Sequence, residues 1–188
     1  MQFKSPRLIL KEFQENDFHL LYSVMSDENI MKYAFLCQVS CEEELKPYFE
    51  EILKNNSTVD SRKAYEFAVY SSQDLNFIGV ADIIMNYQNS IATSAEIGYF
   101  LLAPFWGKGF ATEIANTLLE ICFLNLKLHR VVASCNVRNK QSEKVMKKIG
   151  MIKEGEFREA RYKNGQWDNE LRYGILAKEW RKNNIFMS

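Results

Sequence analysis

From residue 64 to residue 102 apolar and polar positions alternate with a period of two, and on both sides of that stretch the period lengthens to that of a helix. Residues 64–70 and 76–85 read as two strands around a turn at Ser71 to Asp74, an antiparallel hairpin. A second turn at Asn86 to Ser90 leads into a strand over 92–102, which Pro104 ends. Upstream, Arg7 to Glu12 predicts a first strand. Asn16 or Asp17 caps a helix running to about residue 26, with Phe18, Leu21, Tyr22 and Met25 as its apolar stripe. Ser40 with Glu43 predicts a capping box for a second helix carrying Leu45, Phe49, Ile52 and Leu53, and Asn55 to Ser61 reads as a loop.

Downstream, a helix over 108–124 carries Ala111, Ile114, Ala115, Leu118, Leu119 and Cys122 on one stripe. A valine-rich strand follows at 130–135. A helix over 139–149 turns Val145, Met146 and Ile149 inward and four lysines outward, with Gly150 at its C-terminal cap. Strands near 152–160 and 169–177 close the chain around the turn Lys163 to Gln166. The strand–helix–strand run from 95 to 135 is a βαβ unit, so its two strands are parallel and joined by a right-handed crossover. The expected fold is α/β (α+β): a mixed, mostly antiparallel sheet with a central parallel pair and helices on both faces, forming a single domain over residues 1–188.

Composition changes this picture little. The 188 residues are 47% hydrophobic, with 24 basic side chains balancing 24 acidic ones. That balance argues against nucleic-acid or membrane-surface partners, which draw on summed positive charge. No apolar leader or membrane-length span is read, which points to a cytoplasmic protein. Cys37 and Cys41 resemble half a zinc site without its other half, and with Cys122 and Cys135 they read as reduced thiols. His19 and His129 have no ligand-like spacing, so no metal is expected.

The chemistry concentrates in Phe105-Trp106-Gly107-Lys108-Gly109-Phe110-Ala111-Thr112, where the central strand gives way to the long helix. Two glycines at that junction expose backbone N–H groups in a concavity, and the helix adds its unpaired first-turn donors and positive dipole end. This is a socket for a phosphorylated ligand. It is neither a nucleotide-hydrolase loop, since Phe110 stands where a magnesium-binding hydroxyl is needed, nor a dinucleotide fingerprint, since Thr112 replaces the third glycine. A tight turn beneath a close helix–sheet contact is the plain alternative.

In its ordered set of motifs the chain resembles the GNAT superfamily of acetyl-CoA-dependent N-acetyltransferases. The set runs nearly end to end: Arg7-Leu-Ile-Leu-Lys-Glu, Glu96-Ile-Gly-Tyr-Phe-Leu, the glycine loop with Ala-Thr-Glu113, Asn136-Val-Arg-Asn-Lys-Gln-Ser, Lys148-Ile-Gly-Met and Tyr173-Gly-Ile-Leu-Ala-Lys-Glu-Trp180. It is similar, more narrowly, to the branch that modifies N-terminal amines of ribosomal proteins; Trp106 departs from the superfamily's polar loop residue but agrees with that branch. The resemblance implies that N–H groups from Gly107 to Thr112, Lys108 and Phe110 included, hold a pyrophosphate. It also implies that the parallel strands splay to admit the pantetheine arm, and that a backbone N–H near Phe100 or Leu101 meets the thioester carbonyl.

Three residues stand out for the transfer itself. Glu96, a carboxylate on a central strand, is placed to take the ammonium proton through a water, or else is solvated or tied to an arginine. Ser142 falls on the inward stripe of its helix; the matching serine of the branch protonates the coenzyme A sulfur, and a bond to the backbone four residues back is its ordinary use. Asn136 follows the end of its strand, either to bind the pantetheine arm or to cap the next helix, and Asn139 shares that ambiguity. Tyr33, Phe35 and Tyr87 lie in loops expected to shape the acceptor groove. The expected acceptor is a protein N-terminus, with a small-molecule amine or a non-catalytic acetyl-CoA-binding role as alternatives. Phe157, Tyr162, Trp167 and Trp180 are compatible with a monomer or with a homodimer face.

Overall fold

The computed structural model describes residues 1–58 and 61–184. Eight strands form one sheet, and in chain order they are β1 (Gln2–Lys4), β2 (Leu8–Glu12), β3 (Ala64–Ser71), β4 (Phe77–Gln88), β5 (Ile91–Leu101), β6 (Arg130–Asn136), β7 (Ile152–Lys163) and β8 (Gln166–Leu176). Their spatial order is β1-β2-β3-β4-β5-β6-β8-β7. Every neighbouring pair is antiparallel except β5–β6, which is parallel as the βαβ reading requires.

The helices are α1 (Phe18–Met25), α2 (Glu28–Met31), α3 (Glu42–Ser57), α4 (Phe110–Glu120), α5 (Lys140–Lys148) and α6 (Ala177–Asn184). They cover the two faces separately. On one face Ala95, Ile97 and Leu101 of β5 pack with Ile114, Leu118 and Leu119 of α4 and Met146 of α5. On the other, Ala68 and Val80 pack with Leu21 and Met25 of α1 and with Leu45, Phe49 and Ile52 of α3. From Ala95 to Leu101, odd-numbered positions of β5 face the first core and even-numbered ones the second, as the period of two dictates.

Several boundaries differ from the sequence reading for local reasons. The Ser40 capping box does not form: Cys41 is the N-cap of α3, and Glu44 reaches back to accept from the Ser40 N–H at 2.7 Å. That helix runs on to Ser57 through the first three residues of the expected loop, of which residues 59 and 60 lie outside the described set. The long helix starts at Phe110, because Gly109 sits in the left-handed region at φ 82°, and it ends in a π-turn over Ile121–Asn125. The closing hairpin is longer than expected, tightened by Asn164 (φ 49°) and Gly165 (φ 77°), the positive-φ pair a two-residue turn needs. The short β1, α2 and α6 were not anticipated; α2 is set by Asp27, whose carboxylate accepts from the Asn29 and Ile30 N–H groups at 2.8 and 3.1 Å.

Candidate active site

The parallel pairing of β5 with β6 covers only Ser94–Glu96 against Arg130–Val132. Beyond it β5 continues to Leu101 along β4, and β6 continues to Asn136 along β8, so the sheet opens into a cleft between two strands that each keep a partner on the outside. The direction of the backbone along β5 is fixed at both ends. Thr93 C=O accepts from the His129 N–H at the foot of β6, and the Leu102 N–H donates to Ile78 C=O on the β4 side. Alternation therefore turns the N–H groups of Tyr99 and Leu101 into the cleft and that of Phe100 toward β4. Of the two residues expected at a thioester carbonyl, Leu101 faces the opening. Phe100 instead sends its side chain to the opposite face.

The glycine loop closes the far end of this opening. The Trp106 indole N–H donates to Leu101 C=O at 2.7 Å, tying the loop to the last residue of β5. Gly107 (φ 74°) and Gly109 (φ 82°) both occupy the left-handed region, and a Cβ there would meet open space at Gly107 and only Arg7 at 3.5 Å at Gly109. From Gly107 to Thr112 no backbone N–H finds an acceptor among the described residues, and Glu113 is the first whose N–H bonds back, to Gly109 C=O at 3.2 Å. Six consecutive free donors at a helix N-terminus are a phosphate cradle.

Arg7, just before β2, buttresses that cradle. Its guanidinium bonds Glu113 Oε2 at 2.7 Å and Lys108 C=O at 3.1 Å and lies 4.5 Å from the centre of the Phe110 ring. Burial works against the Glu113 charge, but bonds from Ser5 and Arg7 outweigh it and hold the carboxyl below its ordinary range. The Lys108 ammonium lies 5.8 Å from the Phe105 ring.

On the α4–α5 face of the cleft, Tyr99, Cys135 and Ser142 come together. The Tyr99 hydroxyl is buried without a hydrogen-bond partner of ordinary geometry, and the Ser142 hydroxyl stands close enough to favour its ionised form slightly against the effect of burial. Burial raises that phenol to about 12 and the Cys135 thiol to about 11, so both keep their protons near neutrality. Asn136 and Asn139 have local duties: Asn136 donates to Asp168 at 2.8 Å and accepts from the Arg138 N–H at 2.9 Å, and Asn139 caps α5 through the Ser142 N–H at 3.1 Å.

On the other face an acidic row crosses the sheet. Glu66 of β3 pairs with Asp82 of β4, and Asp82 pairs with Gly98 of β5. The missing side chain at Gly98 makes room for Asp82: a Cβ there would lie 2.6 Å from Asp82 Oδ1. The carboxylate thus lies over the first residues of the opening. Burial, then the charges of Glu66 and Glu96, push Asp82 up to about 7. Tyr48 of α3 donates to Glu66 Oε1 at 2.7 Å, while Glu66 Oε2 is buried with no partner. Glu96 stands one row further along the same face, between Ile84 and Val132, and is neither hydrogen-bonded nor ion-paired among the described residues. A cavity of about 30 Å³ lies here, lined by Tyr48, Glu66, Asp82, Phe100, Leu36 and Met25 among others, which is about the room one water takes. Sequence reasoning missed Asp82 and Glu66. Their signal was an acid at an inward position of an apolar run, in Ala64-Tyr-Glu-Phe-Ala and in Val80-Ala-Asp-Ile-Ile.

The three loop aromatics separate. Phe35 lies under the Arg161 guanidinium at 4.6 Å, where the β7–β8 hairpin meets the loop before α3. There the Lys163 ammonium donates to the carbonyls of Met31, Ala34 and Leu36 at 2.7, 2.9 and 2.9 Å, fixing the loop over the acidic row. Tyr33 is beside Lys32 in the same loop, at 5.4 Å. Tyr87 is elsewhere: it pairs with Ala92 and donates to Arg62 C=O at 2.7 Å, five residues or about 16 Å along β4 from Asp82. The apolar end of the chain also separates. Trp180 packs on Phe123 at 5.4 Å, whereas Phe157, Tyr162 and Trp167 of the closing hairpin are exposed.

Comparison with known proteins agrees with this geometry. The chain is 34% identical over 180 residues to an uncharacterized N-acetyltransferase, YnaD, of Bacillus subtilis, covering 96% of this chain and 99% of that one. It is 34% identical over 98 residues to a putative ribosomal N-acetyltransferase, YdaF, of the same organism, covering 52% and 54%. The crystal structure of spermidine N-acetyltransferase from Vibrio cholerae, in complex with CoA and spermine, superposes with a TM-score of 0.82 at 25% identity over 94% of this chain and 99% of that one. With six free N–H donors, an opened parallel pair and a match of residues 7–152 to the acetyltransferase (GNAT) domain, the chain belongs to the GNAT family of acetyl-CoA-dependent N-acetyltransferases.

Proposed function

We propose that the chain acetylates a primary amine of a small molecule that carries a second positive charge, such as a linear diamine or polyamine. One observation carries this reading: the face of the sheet opposite α4 and α5 holds buried carboxylates, and Glu66 Oε2 has no donor. An unsatisfied buried acceptor costs about 1–3 kcal/mol, which a ligand ammonium removes. The spermine-bound Vibrio relative supports the same substrate class. The expected protein N-terminus becomes the second reading, favoured by Ser142 at its position on α5 and by the likeness to the putative ribosomal enzyme.

Bound acetyl-CoA supplies the acetyl group as a thioester. The N–H groups from Gly107 to Thr112 hold its pyrophosphate, and the Leu101 N–H donates to the thioester carbonyl as that oxygen gains charge. Asp82 is the base. It lies over the opening with an affinity for protons matched to neutral pH, and a single water in the adjacent cavity bridges it to the amine. Glu96, the carboxylate nominated from sequence, acts on Asp82 by charge. Ser142 holds a proton on the sulfur side, and Phe35 walls the acceptor loop.

The test is a comparison of kcat/KM for spermidine, a simple monoamine and a peptide beginning with alanine. Spermidine is expected to lead, and Glu66→Gln to raise KM about tenfold for spermidine while sparing the monoamine. Higher kcat/KM for the peptide would discard the small-cation reading in favour of the second.

A further inference from the structure

We infer that the Tyr99 hydroxyl is a direct hydrogen-bond donor to the coenzyme A sulfur, working beside Ser142 as the thiolate departs. Buried hydroxyls are rarely left unpaired, and each such case calls for a partner absent from the protein alone. Tyr99 is one of four side chains with such an atom among the described residues, and it stands on the strand edge of the opened pair. Its surroundings select the sulfur over the carbonyl. Ser142 and Cys135 approach it from α5 and β6, on the α4–α5 face, whereas the backbone donor aimed into the cleft for the carbonyl, Leu101 N–H, belongs to the β5 edge. The phenol's raised pKa keeps it protonated through the neutral range, so the donor is always loaded.

As the amine nitrogen bonds to the acetyl carbon, the carbon–sulfur bond breaks and its electron pair stays on sulfur. Tyr99 stabilises that charge by donation without losing its proton. The inference rests on the acetyl-CoA site and is independent of which amine is the acceptor.

Calorimetric binding of CoA and of desulfo-CoA at pH 7 and pH 9 tests it without turnover. In the natural chain the preference for CoA is expected to grow with pH, as the bound thiol ionises. Tyr99→Phe, which removes one oxygen and no ring carbon, is expected to cut the pH 9 preference about tenfold and leave desulfo-CoA affinity unchanged. An undiminished preference, or an equal loss for both ligands, would overturn the assignment. A second measurement keeps the natural side chains. Of the nine tyrosines, labelled as 3-fluorotyrosine, the Tyr99 fluorine resonance is expected to shift with CoA and not with desulfo-CoA. Identical spectra in the two complexes would equally overturn it.

Discussion

Asp82 is held in a state that costs stability and that suits the base proposed for it. Its carboxyl titrates near 7 because the cleft strips it of water and because Glu66 and Glu96 crowd it with like charge. In an unfolded chain it would ionise at its ordinary value of 3.8. Between those two values the folded protein binds the extra proton, so stability falls as pH rises through that window and is level above it. The displacement of about three units sets a ceiling of about 4 kcal/mol, which water entering the cleft reduces. Asp82→Asn is therefore expected to raise the thermal midpoint at pH 8 and to leave it nearly unchanged at pH 4. The same substitution is expected to lower kcat about 10²-fold and to abolish the fall of kcat/KM below pH 7 expected of the natural enzyme. A variant destabilised at pH 8, or one keeping the acid limb of the profile, would remove Asp82 from the role of base.

At the scale of elements, the glycine loop is held because two strands and a helix agree on where it stands. Trp106 ties it to the end of β5, and Arg7, just before β2, ties it to Glu113 in the first turn of α4. The half-exposed Arg7 contact alone is worth little in water. Its use is to hold Lys108 C=O out of the cradle so that the N–H groups converge. Gly109→Ala isolates the backbone from crowding, since the space for a methyl is open and only the left-handed φ resists it. The strain is about 1–2 kcal/mol, and relief by turning the loop would weaken CoA binding about tenfold, measurable by calorimetry. Undiminished affinity would mean the cradle does not depend on that conformation.

This loop was legible in sequence because glycine spacing at a strand-to-helix junction has few structural meanings. The acidic row was not. Glu66, Asp82 and Gly98 are 16 residues apart in succession and meet only through the register of β3, β4 and β5, which no local pattern states. Tyr87 stands apart from that row for the converse reason: its turn lies at the end of β4 away from Asp82. Asn136 and Asn139 fit either a cap or a ligand contact from sequence, and their side chains turn out to be used within the protein.

For the whole molecule the decisive feature is that the sheet keeps the glycine loop and the carboxylates on opposite faces and opens between them. The phosphate cradle and the Tyr99–Ser142 hydroxyls belong to the α4–α5 face, while the carboxylates lie on the α1–α3 face. Such an arrangement asks both ligands to be present together, meeting through the opening beyond Glu96. It offers no relay by way of an acyl-enzyme. Cys135 is the one cysteine beside the cleft, and burial raises its thiol to about 11; Cys122, in the π-turn that ends α4, is buried and raised to about 12. A thiol near 11 is almost wholly protonated at neutral pH and is a weak nucleophile. Double-reciprocal plots against both substrates are thus expected to intersect, and Cys135→Ala is expected to keep kcat within a few-fold of the natural enzyme. Parallel lines, together with an acetyl group trapped on Cys135 in the absence of amine, would show instead that the acetyl group rests on the protein before the acceptor arrives. In that event the opening would be a passage used by one ligand at a time, and the opposed placement of base and hydroxyls would need another cause.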